Sequence, residues 1–152
     1  MSLDHLKAKA KRDKKVVMLI TDGADTASRT SLEKLISQAH STDAVIHAIA
    51  LLDEEVPREA KKAKRALETI AKATGGLCFF PKTLEEVEKL ALEVAQDIRN
   101  QYVIGYSPLI QELDGTFRSI KVTASGPNRP TVRTRSGYYA GSARTQRSSL
   151  VP

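Results

Sequence analysis

The chain has 152 residues, 41% hydrophobic and 28% charged, with 24 basic groups against 18 acidic and a formal net charge of +6. That length suits one ordinary domain with a real core, and the composition excludes fibrous and disordered classes. No apolar run approaches the roughly 18 residues of a membrane span, and the N-terminus lacks the apolar stretch of a signal peptide. One cysteine, Cys78, excludes an internal disulfide and a multi-cysteine metal centre.

The charge is unevenly placed. Residues 1–15 carry +4, residues 116–152 carry +7 with no acid, and the body between them carries −5. A nucleic-acid interface gathers its bases on one face of the folded body, so this pattern argues against one and reads the ends as solvated. Four regions follow: a basic N-terminal segment (1–15), an α/β domain (16–101), a β extension with a hairpin (102–140) and a disordered tail (141–152).

Val16 to Thr21 (VVMLIT) is a continuous apolar, β-branched run, the pattern of a strand buried on both faces. Thr30-Ser31-Leu32-Glu33 has capping-box spacing. Leu32, Leu35, Ile36 and Ala39 then recur at helical spacing to about His40. Ala44 to Leu52 is a second buried strand, and the separation leaves room for one right-handed crossover helix. Pro57 opens a helix to about Thr74, stopped by Gly75-Gly76. Leu77 to Phe80 is a short third strand. Thr83-Leu84-Glu85-Glu86 caps a long helix with Leu84, Val87, Leu90, Ala91, Val94 and Ile98 inward. This β-α-β-α-β-α succession predicts an α/β sandwich with at least three parallel strands. Beyond Gln101, Tyr102 to Tyr106 reads as another strand. Arg118–Ala124 and Thr131–Tyr138 alternate around a Ser-Gly-Pro-Asn-Arg-Pro turn, a hairpin with one basic face.

The carboxyl end of the first strand is the place to look for a ligand, because open parallel sheets bind there. Asp22, with Asp25 and the hydroxyls of Thr21, Thr26 and Ser28, offers hard oxygen donors for Mg²⁺ or Ca²⁺. Asp-Gly after a strand is equally ordinary turn chemistry.

KKVVMLITDGAD, the helix, AVIHAIALL, LETIAKATGGLCFF and the capped helix from Thr83 together resemble the C-terminal half of a von Willebrand factor A (VWA) domain. NQYVIGYSP, GTFRSIKVTA and TVRTRSGYYA are similar to the extension of the bacterial VWFA-related branch. The resemblance covers roughly residues 5–140. It implies a Rossmann-like three-layer fold in which the chain supplies strands 4–6 of the family order 3-2-1-4-5-6. It also implies a role in binding a protein partner, with no catalysis, and a place outside the cytoplasm.

The family's adhesion site takes Asp-x-Ser-x-Ser from one loop, a Thr from a second and an Asp from a third. Asp22 matches the third. Asp-x-Ser-x-Ser is absent, Asp25-Thr26-Ala27-Ser28 being the nearest miss, and the Thr has no counterpart. A divalent ion wants six or more oxygens, so this chain alone is expected to hold no metal tightly, with Mg²⁺ left to an intact parent domain. The strand that would flank Val16–Thr21 is also missing, which leaves an apolar edge that invites pairing with another chain or covering by the hairpin.

Other residues suggest no chemistry. His5, His40 and His47 share no ligand spacing, and Cys78 sits among apolar neighbours as a small hydrophobe. Gly75-Gly76 follows a helix and precedes a strand, the wrong order for a phosphate cradle. Tyr102 and Tyr106 suit sheet packing better than ligand stacking. The residues therefore favour an interaction module, with a self-associating structural domain as the alternative and an enzyme last.

Overall fold

The computed structural model describes residues 2–11, 14–21, 30–52, 56–127 and 130–141. Its order is α1 (Ser2–Lys9), β1 (Lys15–Thr21), α2 (Leu32–Thr42), β2 (Ala44–Ala50), α3 (Pro57–Thr74), β3 (Cys78–Phe79), α4 (Leu84–Arg99), β4 (Phe117–Ser119) and β5 (Gly137–Tyr139). The fold is mixed α/β around a parallel sheet in the order β1-β2-β3, with β4 and β5 forming a separate antiparallel pair.

The β1–β2 ladder pairs Lys15 with Ala44 through Thr21 with Ala50. Alternation then sorts the side chains. Val17 and Ile46 fall on one face, where they pack with Leu3 and Leu6 of α1, Leu35, Ile36 and Ala39 of α2 and Ile70 of α3. His47 and Ile49 fall on the other face and are fully buried, as is Val94 of α4. The α4 helix contacts β2, and its Asp97 lines the same cleft as Val45, which shares the His47 face, so α4 lies over that face. Helices therefore flank the sheet on both sides. The basic segment read from the sequence contributes α1, whose Leu3 enters this core.

Helix ends follow local chemistry, with one register difference. Ser31, not Thr30, caps α2: its hydroxyl accepts from the Lys34 N–H at 3.3 Å, one residue later than the capping box predicts. Thr83 is the N-cap of α4, yet Glu86 takes the Lys82 N–H at 2.9 Å in place of the cap's own. Pro57 starts α3 where a missing N–H costs nothing.

The Thr74-Gly75-Gly76-Leu77 connector explains itself residue by residue. The Thr74 hydroxyl donates to the Ile70 carbonyl and accepts from the Ile46 N–H at 3.1 Å, replacing a ladder partner that the two-residue β3 is too short to provide. Gly75 ends α3 at φ 82°, the left-handed region. Gly76 runs so close to β2 that a Cβ there would lie 2.0 Å from the Ile46 carbonyl oxygen. The Leu77 N–H then donates to His47 Nδ1 at 3.1 Å.

Two expectations for the extension are revised. Tyr102–Tyr106 is not a strand: its backbone is irregular and Tyr102 is 93% exposed. Its β-branched and aromatic residues suit a sheet, but no neighbouring strand takes up its backbone groups, and propensity alone does not make a strand. The hairpin does pair antiparallel, but over Phe117–Ser119 with Gly137–Tyr139, nearer its base than the alternating pattern suggests. Of the tail read as disordered (141–152), residues 142–152 lie outside the described residues.

Candidate functional site

Three places bear on function: the carboxyl end of β1, the outer edge of β1, and a cleft at the amino end of the sheet.

Asp22 and Asp25, the candidate metal ligands, lie outside the described residues, as do Thr26 and Ser28. Thr21 ends β1, and its carbonyl accepts the Leu51 N–H at 2.9 Å, carrying the ladder one step past Ala50. Among the described residues, no group of three or more His, Cys, Asp or Glu side chains is placed to hold a metal.

The outer edge is set by backbone parity. Thr21 faces β2 through its carbonyl, so Lys15, Val17 and Leu19 face β2 as well, while the N–H and C=O groups of Val16, Met18 and Ile20 point the other way. Side chains here are uncovered too, with Met18 at 38% and Ile20 at 56% exposure. The α4 helix reaches β2 but leaves these residues of β1 bare. The hairpin packs on α2 through β5.

That hairpin docks where helices α2 and α3 end. The Ala73 carbonyl, in the last turn of α3, receives the Ser136 N–H at 2.9 Å, the Ser136 hydroxyl at 3.2 Å and His40 Nε2 at 2.9 Å. Unpaired carbonyls at a helix C-terminus carry partial negative charge, so converging donors are favoured there. His40 also stacks against Phe117, with ring centroids 5.4 Å apart, and Phe117 meets Tyr139 edge-on at 5.2 Å. Gly137 is obligatory in this cluster, because a Cβ would strike the Phe117 ring and the Arg118 carbonyl.

Arg135 pairs with Asp43 and Arg133 with Asp97. The basic face of the hairpin is therefore partly neutralised by the acidic body, not left to solvent. Sequence reasoning missed Asp43, Asp97 and Ser136 as docking residues, although the contrast of −5 in the body and +7 at the end was the available signal.

Between the hairpin and the residue 101–106 segment lies a cleft of about 670 Å³. Lys14 closes one side by donating to the Gln101 carbonyl at 3.0 Å. Tyr102, Ile104, Val122 and Val132 give it apolar walls. It opens at the amino ends of β1 and β2, away from Thr21.

The titratable groups offer little reactive chemistry. Burial, helped by nearby Glu68, pushes the Cys78 thiol up to about 11, so it is protonated at neutral pH. Burial also lowers the pKa of His47, which Asp97 opposes only in part. His47 is thus a neutral core residue whose Nδ1 accepts from the backbone.

No family model matches the chain, and no curated protein does. Among solved structures, an uncharacterized membrane spanning protein from Vibrio fischeri is similar at TM-score 0.46 and 18% identity, over 57% of this chain and 48% of that one. The chain thus spans about half the length of that protein, and a likeness this weak carries no argument. Among the described residues, no helix is long and apolar enough to cross a membrane.

Proposed function

We propose that this chain is a non-enzymatic protein-interaction module of the von Willebrand factor A kind, and that its partner-binding element is the outer edge of β1. One observation carries the reading: Val16, Met18 and Ile20 turn their backbone donors and acceptors away from β2 beside exposed apolar side chains. Such an edge is a template for strand addition, in which main-chain hydrogen bonds supply affinity and alternate side chains supply selectivity.

The test uses a synthetic peptide repeating residues 14–22, flanked by lysines for solubility, with a copy N-methylated at alternate residues as control. Binding protects the amides of Val16, Met18 and Ile20 from hydrogen exchange and leaves those of Val17 and Leu19 unchanged. The methylated copy is inert. Failure of the plain peptide to protect the three outward amides would overturn the reading.

A second reading, metal-dependent adhesion at the carboxyl end of the sheet, is favoured by the position of the hairpin. It docks at the amino end of the sheet, away from Thr21 at the carboxyl end of β1. The donors in this chain do not fit a tightly held Mg²⁺. The Asp-x-Ser-x-Ser loop and the Thr of the family's site are absent from the sequence, which leaves Asp22 and Asp25 as its carboxylates. In this reading, Mg²⁺ and the remaining ligands belong to an intact parent domain.

A further inference from the structure

We infer that the outer face of α3 binds the phosphate backbone of a double-stranded nucleic acid without regard to base sequence.

The two faces of α3 differ in character. Ile70, Ala71 and Thr74 are buried, Ala63 and Leu67 half-buried, and the helix packs on β2 and α2. At about 100° per residue, Arg58, Lys61, Lys62, Arg65 and Lys72 fall on the opposite side, within a stripe about 100° wide. All five are exposed. A rise of 1.5 Å per residue makes the stripe about 21 Å long, or about six base pairs of duplex. Lys64 stands off it, over the Phe80 ring at 5.1 Å.

These cations are held without compensation. None of the five is in an ion pair among the described residues, whereas Arg118, Arg133 and Arg135 of the extension pair with Asp114, Asp97 and Asp43. Arg58 and Lys62, like Lys61 and Arg65, are like charges four residues apart, an arrangement that weakens a helix. Arg58 also stands in the first turn, where the helix dipole disfavours a cation. The helix carries six basic residues against two acidic, while residues 16–115 as a whole carry −5. Basic groups are thus gathered on one face, as a nucleic-acid interface requires, and the charge balance of the whole body conceals them.

The surroundings of the stripe select the partner. No large apolar side chain of α3 is exposed, so the helix offers neither the anchor of a protein interface nor one that enters a bilayer. Beside it, α2 adds one acid and one lysine, Glu33 and Lys34. The positive surface is therefore one helix wide, which suits a rod-shaped polyanion better than an anionic plane. The helix contains no Asn, Gln or aromatic residue to read bases or stack on them. Its contacts stop at phosphates, which favours a duplex over a single strand and makes binding indifferent to sequence.

Fluorescence anisotropy of two unrelated labelled DNA duplexes, each of about 20 base pairs, across a salt series tests this. Each phosphate contact contributes about 0.9 to the slope of log affinity against log salt. The triple variant Lys61→Gln, Lys62→Gln, Arg65→Gln therefore lowers that slope by about 2.7, equally for both duplexes. Lys7→Gln, Lys9→Gln, Lys11→Gln removes the same charge at exposed positions elsewhere and changes the slope by less than about 0.9. Lys61→Arg with Lys62→Arg keeps the charge and keeps the slope. The α3 substitutions lie at exposed positions and relieve repulsion, so the urea midpoint does not fall. Single substitutions, each removing about 0.9, keep the test open should the triple variant fold poorly.

Equal losses from the two triple variants overturn the inference, because net charge alone then explains binding. So does an unchanged slope in a folded α3 variant, or no binding to either duplex at about 0.05 M salt, where phosphate contacts are strongest. Single strands bound more tightly than duplex would also overturn it. Phosphatidylserine vesicles or polyglutamate, bound as tightly as the duplex and with the same dependence on α3, would replace the nucleic acid with a membrane or an acidic protein.

Discussion

Replacing Gly76 with alanine tests the packing that anchors β3 and α3 to the central strand. The added Cβ would lie 2.0 Å from the Ile46 carbonyl oxygen, 2.7 Å from its carbon and 3.3 Å from the His47 nitrogen. All three obstacles are backbone of β2, which its ladders to β1 and β3 hold in place, so no rotamer change relieves the clash. Relief requires a backbone shift of about 1 Å, which places the cost at the upper end of overpacking, about 3 kcal/mol. For a chain of this size that corresponds to a fall in Tm of roughly 6–12 °C.

Gly75→Ala fails for a different reason. The φ of 82° costs about 1–2 kcal/mol for an L side chain, and its Cβ would meet the Thr134 carbonyl carbon at 2.7 Å. Its damage should fall first on hairpin docking, read as faster amide exchange over residues 134–139. Gly105→Ala, with open space around it, should stay within about 0.5 kcal/mol of the parent. Urea unfolding followed by far-ultraviolet circular dichroism measures all three. A Gly76→Ala protein within 0.5 kcal/mol of the parent would refute the close approach of this connector to β2.

Three further outcomes follow from the described geometry. Burial depresses the pKa of His47, so the unfolded chain binds a proton at a higher pH than the folded one. Stability is therefore full above the unfolded value of about 6.5 and falls as the pH drops from there toward the lowered folded value. His47→Asn, whose Oδ1 keeps an acceptor for the Leu77 N–H, should flatten that loss in urea midpoints between pH 7.5 and 5. Cys78, with its pKa at about 11, should alkylate roughly 200-fold more slowly at pH 8 than a free thiol, and unfolding should abolish the difference. Saturating Mg²⁺ and then chelator should leave Tm unchanged within about 1 °C, since a tightly bound ion would raise it by mass action. A clear Mg²⁺-dependent rise would restore Asp22 and Asp25 as working ligands.

The local elements were legible because their signals are local. The β-branched run at Val16–Thr21, the 3.6-residue spacing through α2 and α4, Pro57 and the paired glycines all act on neighbouring backbone. These yielded three parallel strands separated by helices, with ends accurate to a residue or two. Short-range pattern also placed the first cap one residue early, since Thr30 and Ser31 offer the same hydroxyl and only the helix trajectory selects Ser31.

What only tertiary structure decided depends on which distant groups meet. Tyr102–Tyr106 has the composition of a strand, yet strand formation requires a partner ladder, and none forms along it. The hairpin's docking on the Ala73 carbonyl, and the pairing of Arg133 and Arg135 with Asp97 and Asp43, join residues dozens of positions apart. Composition signalled the opposite charges of the end and the body but not where they would meet. The edge of β1 shows both limits. Sequence gave its apolar character, while its outward-facing groups follow from the register with β2, because parity in a ladder is a property of the pair and not of either strand alone.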